Sequence, residues 1–557
     1  MAGPSEGERP SSRSLSGTAS GEGLTPQRYR LETERFVLLQ LLPLMRASWG
    51  EYGAHMTQRS SLGRLPITAT AVFCLMTTTT LATGAAAAAP HEDISAQVSS
   101  AAAELKSSSR ALLPPASAVV AAFSLAAPNG ATASGLVARA VVTGGTRCPA
   151  LTTVMKNGTT RSTPMRQRIP AVTTAGQFDA LISCSTPIPA NATSARVLST
   201  VIPHAMPTRI KNMALLGDTG CRIKGSAIQA CNDPSAWPLA TLSTTIASQK
   251  PDLTVFLGDF FYREAVCPPE QTAKCGGSPA PGAVPFKDSS LGWNADTFIP
   301  MAPLLAAAPL VVVRGNHEDC PRGGNGYFIY MDPREGSEGT CAPAESPNGE
   351  LLPPAPDATP PYAVDVTVRK GNNLRLVVVD SAAGLDCQVT SLLPTETANY
   401  VKARKLAKGS DQYWLLVHRP IAAWTPADDC APGGSWVTAD EQIASYGQLD
   451  PYGLILSSHI HLVESMNIPG IPGQLVLGNG STLLEADQPF VLPTSGPAWD
   501  ATKAYPAPTS GWWAVKFGYG MAHPGKANTW TVDLRSPKGA QFARCQVAKR
   551  TVNCASR

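Results

Sequence analysis

Eight histidines occur in the 557 residues: His55, His91, His204, His317, His418, His459, His461 and His523. Four of them follow apolar runs of strand length, as do two aspartates and an asparagine. Gly217-Asp218 follows Met213–Leu216, and Gly258-Asp259 follows Leu253–Leu257. Gly315-Asn316-His317 follows Leu310–Val313, His418 follows Trp414–Val417, and Ser458-His459-Ile460-His461 follows Leu454–Leu456. A single such histidine reads as easily as a hydrogen-bonded structural residue; the joint placement is what points to chemistry. Two cations about 3.5–4 Å apart need a bridging carboxylate and two or three terminal ligands each. Carboxylate, amide and imidazole donors suit Fe, Zn or Mn. Asp218, Asp259, Asn316, His418, His459 and His461 supply such a set. The i, i+2 spacing of His459 and His461 puts both rings on one side of an extended segment.

The elements that must position these residues follow from the runs themselves. Continuous apolar runs, Leu374–Val379 before Asp380-Ser381 among them, suit strands buried on both faces with helices between them. In such folds ligands sit at the carboxyl ends of strands, where the polar clusters lie. Gly217, Gly258 and Gly315 are expected to form tight turns that aim the next side chain inward. Residues 118–206 carry short runs rich in Val, Ala and Thr, punctuated by Gly, Pro and Asn, and read as a small β-sandwich with a supporting or docking role. From about Pro489 the alternation around Trp512, Trp513, Phe517 and Trp530 reads as the last strands of the second sheet. The Pro/Gly-rich segments Cys267–Pro285 and Gly323–Pro361 are too long for ordinary connections.

Composition bounds the answer. Charged residues make up 15% of the chain, against roughly 25% in soluble proteins, which excludes a disordered polyelectrolyte. A net charge of +4 is too near neutral for a nucleic-acid or membrane-surface binder. At Met56 the texture resembles the start of a secretory signal peptide: Arg59 and Arg64, then no charge from Leu65 to Pro90, an apolar centre at Ile67–Met76, and small residues at Ala85–Ala89. A membrane anchor is the competing reading, but no basic stop-transfer cluster follows; a lipid anchor at Cys74 is disfavoured by the bulky Phe73 before it. The expected organisation is a non-native leader or misassigned start at 1–55, a signal peptide at 56–89, a linker at 90–117, the β-domain at 118–206 and the main domain at 207–557. Of thirteen cysteines, Cys74 would leave with the signal. The even remainder reads as a disulfide set in an exported protein, periplasmic or extracellular. Nearest-neighbour pairing is expected: Cys148–Cys184, Cys221–Cys231, Cys267–Cys275, Cys320–Cys341, Cys387–Cys430 and Cys545–Cys554. No C-x-x-C occurs, which argues against structural zinc.

The order of the polar clusters resembles the calcineurin-like metallophosphoesterases, and within them the purple acid phosphatases. The family's blocks are D-x-G, G-D-x-x-Y, G-N-H-[DE], V-x-x-H and G-H-x-H. This chain has Asp218-Thr219-Gly220, Gly258-Asp259-Phe260-Phe261-Tyr262 and Gly315-Asn316-His317-Glu318. The fourth block departs, with Leu415 three before His418, and the fifth has Ser458 in place of Gly. The resemblance implies an α/β (α+β) fold, a four-layer β-sandwich flanked by helices, preceded here by the small all-β domain. It implies Asp218, Asp259, Tyr262 and His461 around a first metal, Asp259 as bridge, and Asn316, His418 and His459 around a second. Tyr262 implies Fe(III), paired with Fe, Zn or Mn. The implied reaction is hydrolysis of a small-molecule phosphate monoester by metal-bound hydroxide, with His317 contacting the phosphoryl oxygen or protonating the leaving alkoxide. Plant members carry further histidines after the fourth block; Pro420–Cys430 has none, and Arg419 is the nearby cation. Two alternatives stay open: a phosphodiesterase or nucleotide pyrophosphatase on the same site, and a surface binding protein with a degenerate site. No stable membrane anchor is expected, and the oligomeric state is left open.

Overall fold

Alternate side chains of the apolar runs enter different cores, which is why the runs are continuous rather than alternating. Met213, Leu215, Leu253 and Val255 join Leu374, Leu376, Leu416 and Leu456 in one core, whereas Ala214, Leu216 and Phe256 pack in a second with Leu242, Met301 and Leu304. Val377, Val379, Leu415 and Val417 enter a third with Tyr400 and Ala403. The inner core therefore lies between two sheets, and helices cover the outer faces: Leu239–Ser248 and Ile299–Ala307 on one side, Leu393–Leu406 on the other. This is the four-layer α/β arrangement. The computed structural model describes residues 118–557 except 145–146, 170–176, 276–287, 336–340, 342–356, 426–429 and 431–434. The expected leader, signal peptide and linker, with His55, His91 and Cys74, lie outside the described residues. No helix among the described residues is long and apolar enough to cross a membrane.

The first sheet has eleven strands, with Met213–Leu216, Leu253–Phe256 and Leu310–Val312 parallel at its centre. The second has seven, with Asn372–Val379, Gln412–Val417, Leu454–Ser457 and Gln474–Leu477 parallel in that order. The carboxyl ends of these strands carry the polar clusters. The C-terminal strands divide between the sheets, contrary to the sequence expectation. Ser510–Ala514 joins the second sheet. Tyr519–Pro524 instead pairs with Met213–Leu216 and brings Trp530–Arg535, Gln541–Ala548 and Thr551–Ser556 to the first.

The described residues between 119 and 202 form eight strands and no helix. Four of them form a separate four-stranded sheet: Ala150–Met155, Thr160–Pro164, Ala192–Val197 and Thr200–Ile202. The others extend the first sheet, with Val119–Ala126 running parallel to Leu310–Val312. Side chains reinforce this junction. The buried Arg139 guanidinium donates to the carbonyls of Ile329, Tyr330 and Asp332 at 2.8–3.0 Å. Ser183 Oγ donates to Ile329 O at 2.6 Å, and Tyr330 Oη to Leu181 O at 2.8 Å. All six expected disulfides are formed.

Candidate metal centre

The strand ends turn sharply at the predicted residues. Asp218, Asp259 and His459 adopt left-handed backbone, with φ of 55°, 60° and 75°. Such conformations cost an L-residue of the order of 1 kcal/mol or more and cluster at functional sites. Of the three glycines expected to permit turns, only Gly258 has positive φ, at 99°. Gly217 and Gly315 are there for closeness instead. A Cβ on Gly217 would sit 2.6 Å from Ser458 Cβ, and one on Gly315 would sit 2.1 Å from Asp259 Oδ1.

Two groups of donors form. In the first, Tyr262 Oη lies 2.6 Å from both Asp218 Oδ1 and Asp259 Oδ2, and 3.0 Å from His461 Nε2. His461 Nε2 is itself 3.4 Å from Asp218 Oδ1. In the second, Asn316 Oδ1 lies 2.8 Å from His418 Nε2 and 2.7 Å from His459 Nδ1. Asp259 Oδ2 belongs to both groups, being 3.3 Å from His418 Nε2. Asp259, His418 and His459 each present a ligand atom within 4.8 Å of the others. The donor set is one phenol, two carboxylates, one amide oxygen and three imidazoles, all turned toward one another and nearly closed to solvent. That chemistry fits a pair of cations of the Fe, Zn or Mn class.

The outer contacts orient the rings. His418 Nδ1 lies 2.8 Å from Leu257 O, and His461 Nδ1 lies 2.8 Å from Leu483 O. Each carbonyl is an acceptor for Nδ1–H, so Nε2 is the nitrogen that faces inward and is available to a cation. Ser458 explains its departure from the family's glycine: its Oγ donates to Leu257 O at 2.7 Å, beside the Cβ-less Gly217.

His317 joins the first group from the side. Its ring lies over Tyr262, with centroids 3.8 Å apart, and its backbone N–H donates to Asp259 Oδ1 at 2.9 Å. Its Nδ1 stands 2.5 Å from Glu264 Oε1. Burial pushes the imidazole below its ordinary pKa. Burial pushes the other way on Glu264, but His317 and Lys224 hold that carboxyl down to about 2. The contact fixes the ring with Nδ1 toward Glu264 and Nε2 on the opposite side.

Electrostatics at the centre follow proximity. Burial raises the Tyr262 phenol well above its ordinary range, and Asp218 and Asp259 push it further. Burial opposes ionisation of Asp259, yet His418 and His317 beside it hold its carboxyl well below the usual carboxylate range. Burial likewise opposes charge on His418, and Asp259 overrides it, raising the imidazole to about 9. His459 goes the other way, down to about 4, from burial and then the balance of Asp386 against Arg419.

The structure brings Asp218, Asp259, Tyr262, Asn316, His317, His418, His459 and His461 to one place. Three further residues were not singled out from sequence. Glu318 is fully buried and accepts four backbone N–H groups: Asp259 and Gly315 on Oε2 at 2.9 and 3.0 Å, Phe260 and Phe261 on Oε1 at 2.8 and 3.1 Å. Its place in the G-N-H-[DE] block was a usable signal. Glu264 and Asp386 carried none, since they reach the site only through folding.

Residues 212–463 match the sequence profile described as calcineurin-like phosphoesterase. No curated protein sequence matches this chain closely enough to count as a relative. Among solved structures, a purple acid phosphatase from yellow lupin (Lupinus luteus) seeds is similar at 13% identity and TM-score 0.44, over 77% of this chain and 73% of that one. PhoD is similar at 13% identity and TM-score 0.44, over 78% and 92%. GAP50, described as the anchor in the inner membrane complex of Plasmodium, is similar at 12% identity and TM-score 0.33, over 62% and 89%.

Proposed function

We propose that this chain, whose residues 212–463 match the calcineurin-like phosphoesterase profile, is a metal-dependent phosphoric ester hydrolase, an exported phosphomonoesterase of the purple acid phosphatase type. The observation that carries the finer reading is Tyr262 Oη, 2.6 Å from both Asp218 Oδ1 and Asp259 Oδ2. A phenol wedged between two carboxylates is a donor suited to a trivalent ion. We assign Asp218, Asp259, Tyr262 and His461 to Fe(III), and Asp259, Asn316, His418 and His459 to a second cation, Fe, Zn or Mn.

When bound, the two cations would supply a nucleophile by lowering the pKa of water and would neutralise charge building on the phosphoryl oxygens. The side chains supply the rest. Asp259 belongs to both donor groups and sets their separation. The carbonyls of Leu257 and Leu483 keep His418 and His461 in the tautomer that presents Nε2 inward. His317, anchored at Nδ1 by Glu264, has Nε2 to contact the phosphoryl group or to protonate the leaving alkoxide. Export is supported by the twelve cysteines joined in six disulfides. Residues 118–206 would serve as support and 207–557 as the catalytic part.

Metal analysis with a visible spectrum tests this reading. We expect one Fe plus a second metal, and a tyrosinate band that disappears in Tyr262→Phe. Colourless protein holding only Zn or Mn would refute the branch assignment. p-Nitrophenyl phosphate assayed beside its bis-ester separates monoesterase from diesterase, and faster hydrolysis of the bis-ester would overturn the monoester assignment.

A further inference from the structure

We propose that Asp386 is a positioning residue for the second cation: its carboxylate accepts the hydrogen bond from His459 Nε2–H and so leaves Nδ1 of that ring bare to ligate. The inference rests on the reading of Asn316, His418 and His459 as one ligand set.

An imidazole can ligate only through a nitrogen that carries no proton, so the partner of the other nitrogen decides whether it is a ligand. For His418 and His461 that partner is a backbone carbonyl, facing Nδ1 at 2.8 Å in each case. His459 is turned round. Its Nδ1 faces inward, 2.7 Å from Asn316 Oδ1, and its Nε2 faces outward. Two groups stand there: Arg419 Nη1 at 3.0 Å and Asp386 Oδ1 at 2.8 Å. Guanidinium has donors only. Facing Arg419 alone, Nε2 would be the acceptor, the proton would sit on Nδ1, and the ring could not bind a cation. Asp386 reverses that choice.

The carboxylate is itself held in place. Arg419 forms an ion pair with the same Oδ1. The Asp386 carbonyl accepts the N–H groups of Thr438 and Ala439 at 3.0 and 3.2 Å, where the helix Ala439–Ala444 begins. The next residue, Cys387, is tied to Cys430. Asp386 lies in none of the five sequence blocks.

The test compares the full chain with Asp386→Ala and Asp386→Asn, stripped of metal and titrated with Zn(II) or Mn(II) against a competing chelator. We expect wild type to take up two cations. Asp386→Ala should hold the second about 10–100-fold more weakly, the range typical for losing an outer partner of a ligating histidine, while the first is unchanged. Asp386→Asn should be intermediate, because its amide oxygen still accepts, and it carries the comparison if the alanine variant does not fold. Imidazole 15N spectra of the cation-free wild type should place the His459 proton on Nε2, and Asp386→Ala should shift it toward Nδ1. Wild type binding two cations with Asp386→Ala matching it at both would overturn the inference alone. So would a proton on Nδ1 in the cation-free wild type. A wild type that takes up no second cation would overturn the ligand reading, and this inference with it.

Discussion

Glu318→Gln is the substitution whose cost the structure specifies most directly. The side chain keeps its size and loses the capacity to accept on one of two atoms. In the wild type each carboxyl oxygen faces two backbone N–H groups, from Asp259 and Gly315 on one side and from Phe260 and Phe261 on the other. An amide has one oxygen and one nitrogen that donates only. Whichever way it turns, one pair of buried N–H groups loses its acceptor and meets another donor. Leaving a buried donor unsatisfied costs about 1–3 kcal/mol, so the pair amounts to about 2–6 kcal/mol, a large share of the ~5–15 kcal/mol that separates folded from unfolded protein. Equilibrium urea unfolding of metal-free wild type and variant reads this as a lower midpoint at unchanged slope. A variant within about 0.5 kcal/mol of wild type would refute the reasoning. It would mean that the two turns carrying Asp259 and Asn316 are held by something other than Glu318.

His317→Ala should lower kcat for an alkyl phosphate at least tenfold and lower it less for p-nitrophenyl phosphate, whose leaving group needs little protonation; equal rates with the alkyl ester would remove His317 from the acid role. Asp296→Asn should destabilise by about 3–5 kcal/mol in thermal or urea unfolding, because Asp296 is the fully buried partner of Arg263 and accepts the Tyr262 N–H at 2.9 Å. Stability should fall as pH rises. Burial raises Glu464 to about 8, above its unfolded value near 4.5, so its contribution is full below that value and lost as pH climbs through about 8. The loss is up to about 5 kcal/mol, and Glu464→Gln should flatten the unfolding midpoint between pH 5 and pH 9.

What sequence could reveal about this site follows from how it is built. Asp218, Asp259, Asn316, His418, His459 and His461 were legible because each lies just past the end of an apolar run, and parallel pairing brings the ends of such runs together. Tyr262 needed the family pattern; three residues past Asp259, it has no strand end of its own. Glu264 and Asp386 were opaque for a different reason. Their partners, His317 and His459, are supplied by other segments, and no spacing along the chain reports a 2.5 or 2.8 Å contact across it. The C-terminal strands were misassigned on the same ground. Alternation identifies a strand but not its neighbour, and Gly520–Ala522 found theirs in Met213–Leu215.

The junction between the early strands and the parallel core has a consequence for anyone handling the gene. A fragment starting near residue 207 would keep every donor proposed for the metals, and by motif alone it would pass as the minimal enzyme. It would also uncover the flank of Leu310–Val312 where Val119–Ala126 pairs, and strip the carbonyls of Ile329, Tyr330 and Asp332 of the Arg139 guanidinium. An unpaired apolar strand edge invites self-association. Such a fragment is therefore expected to accumulate in inclusion bodies. Supplying residues 118–206 as a second polypeptide should return it to solution, with the two pieces behaving as halves of one fold.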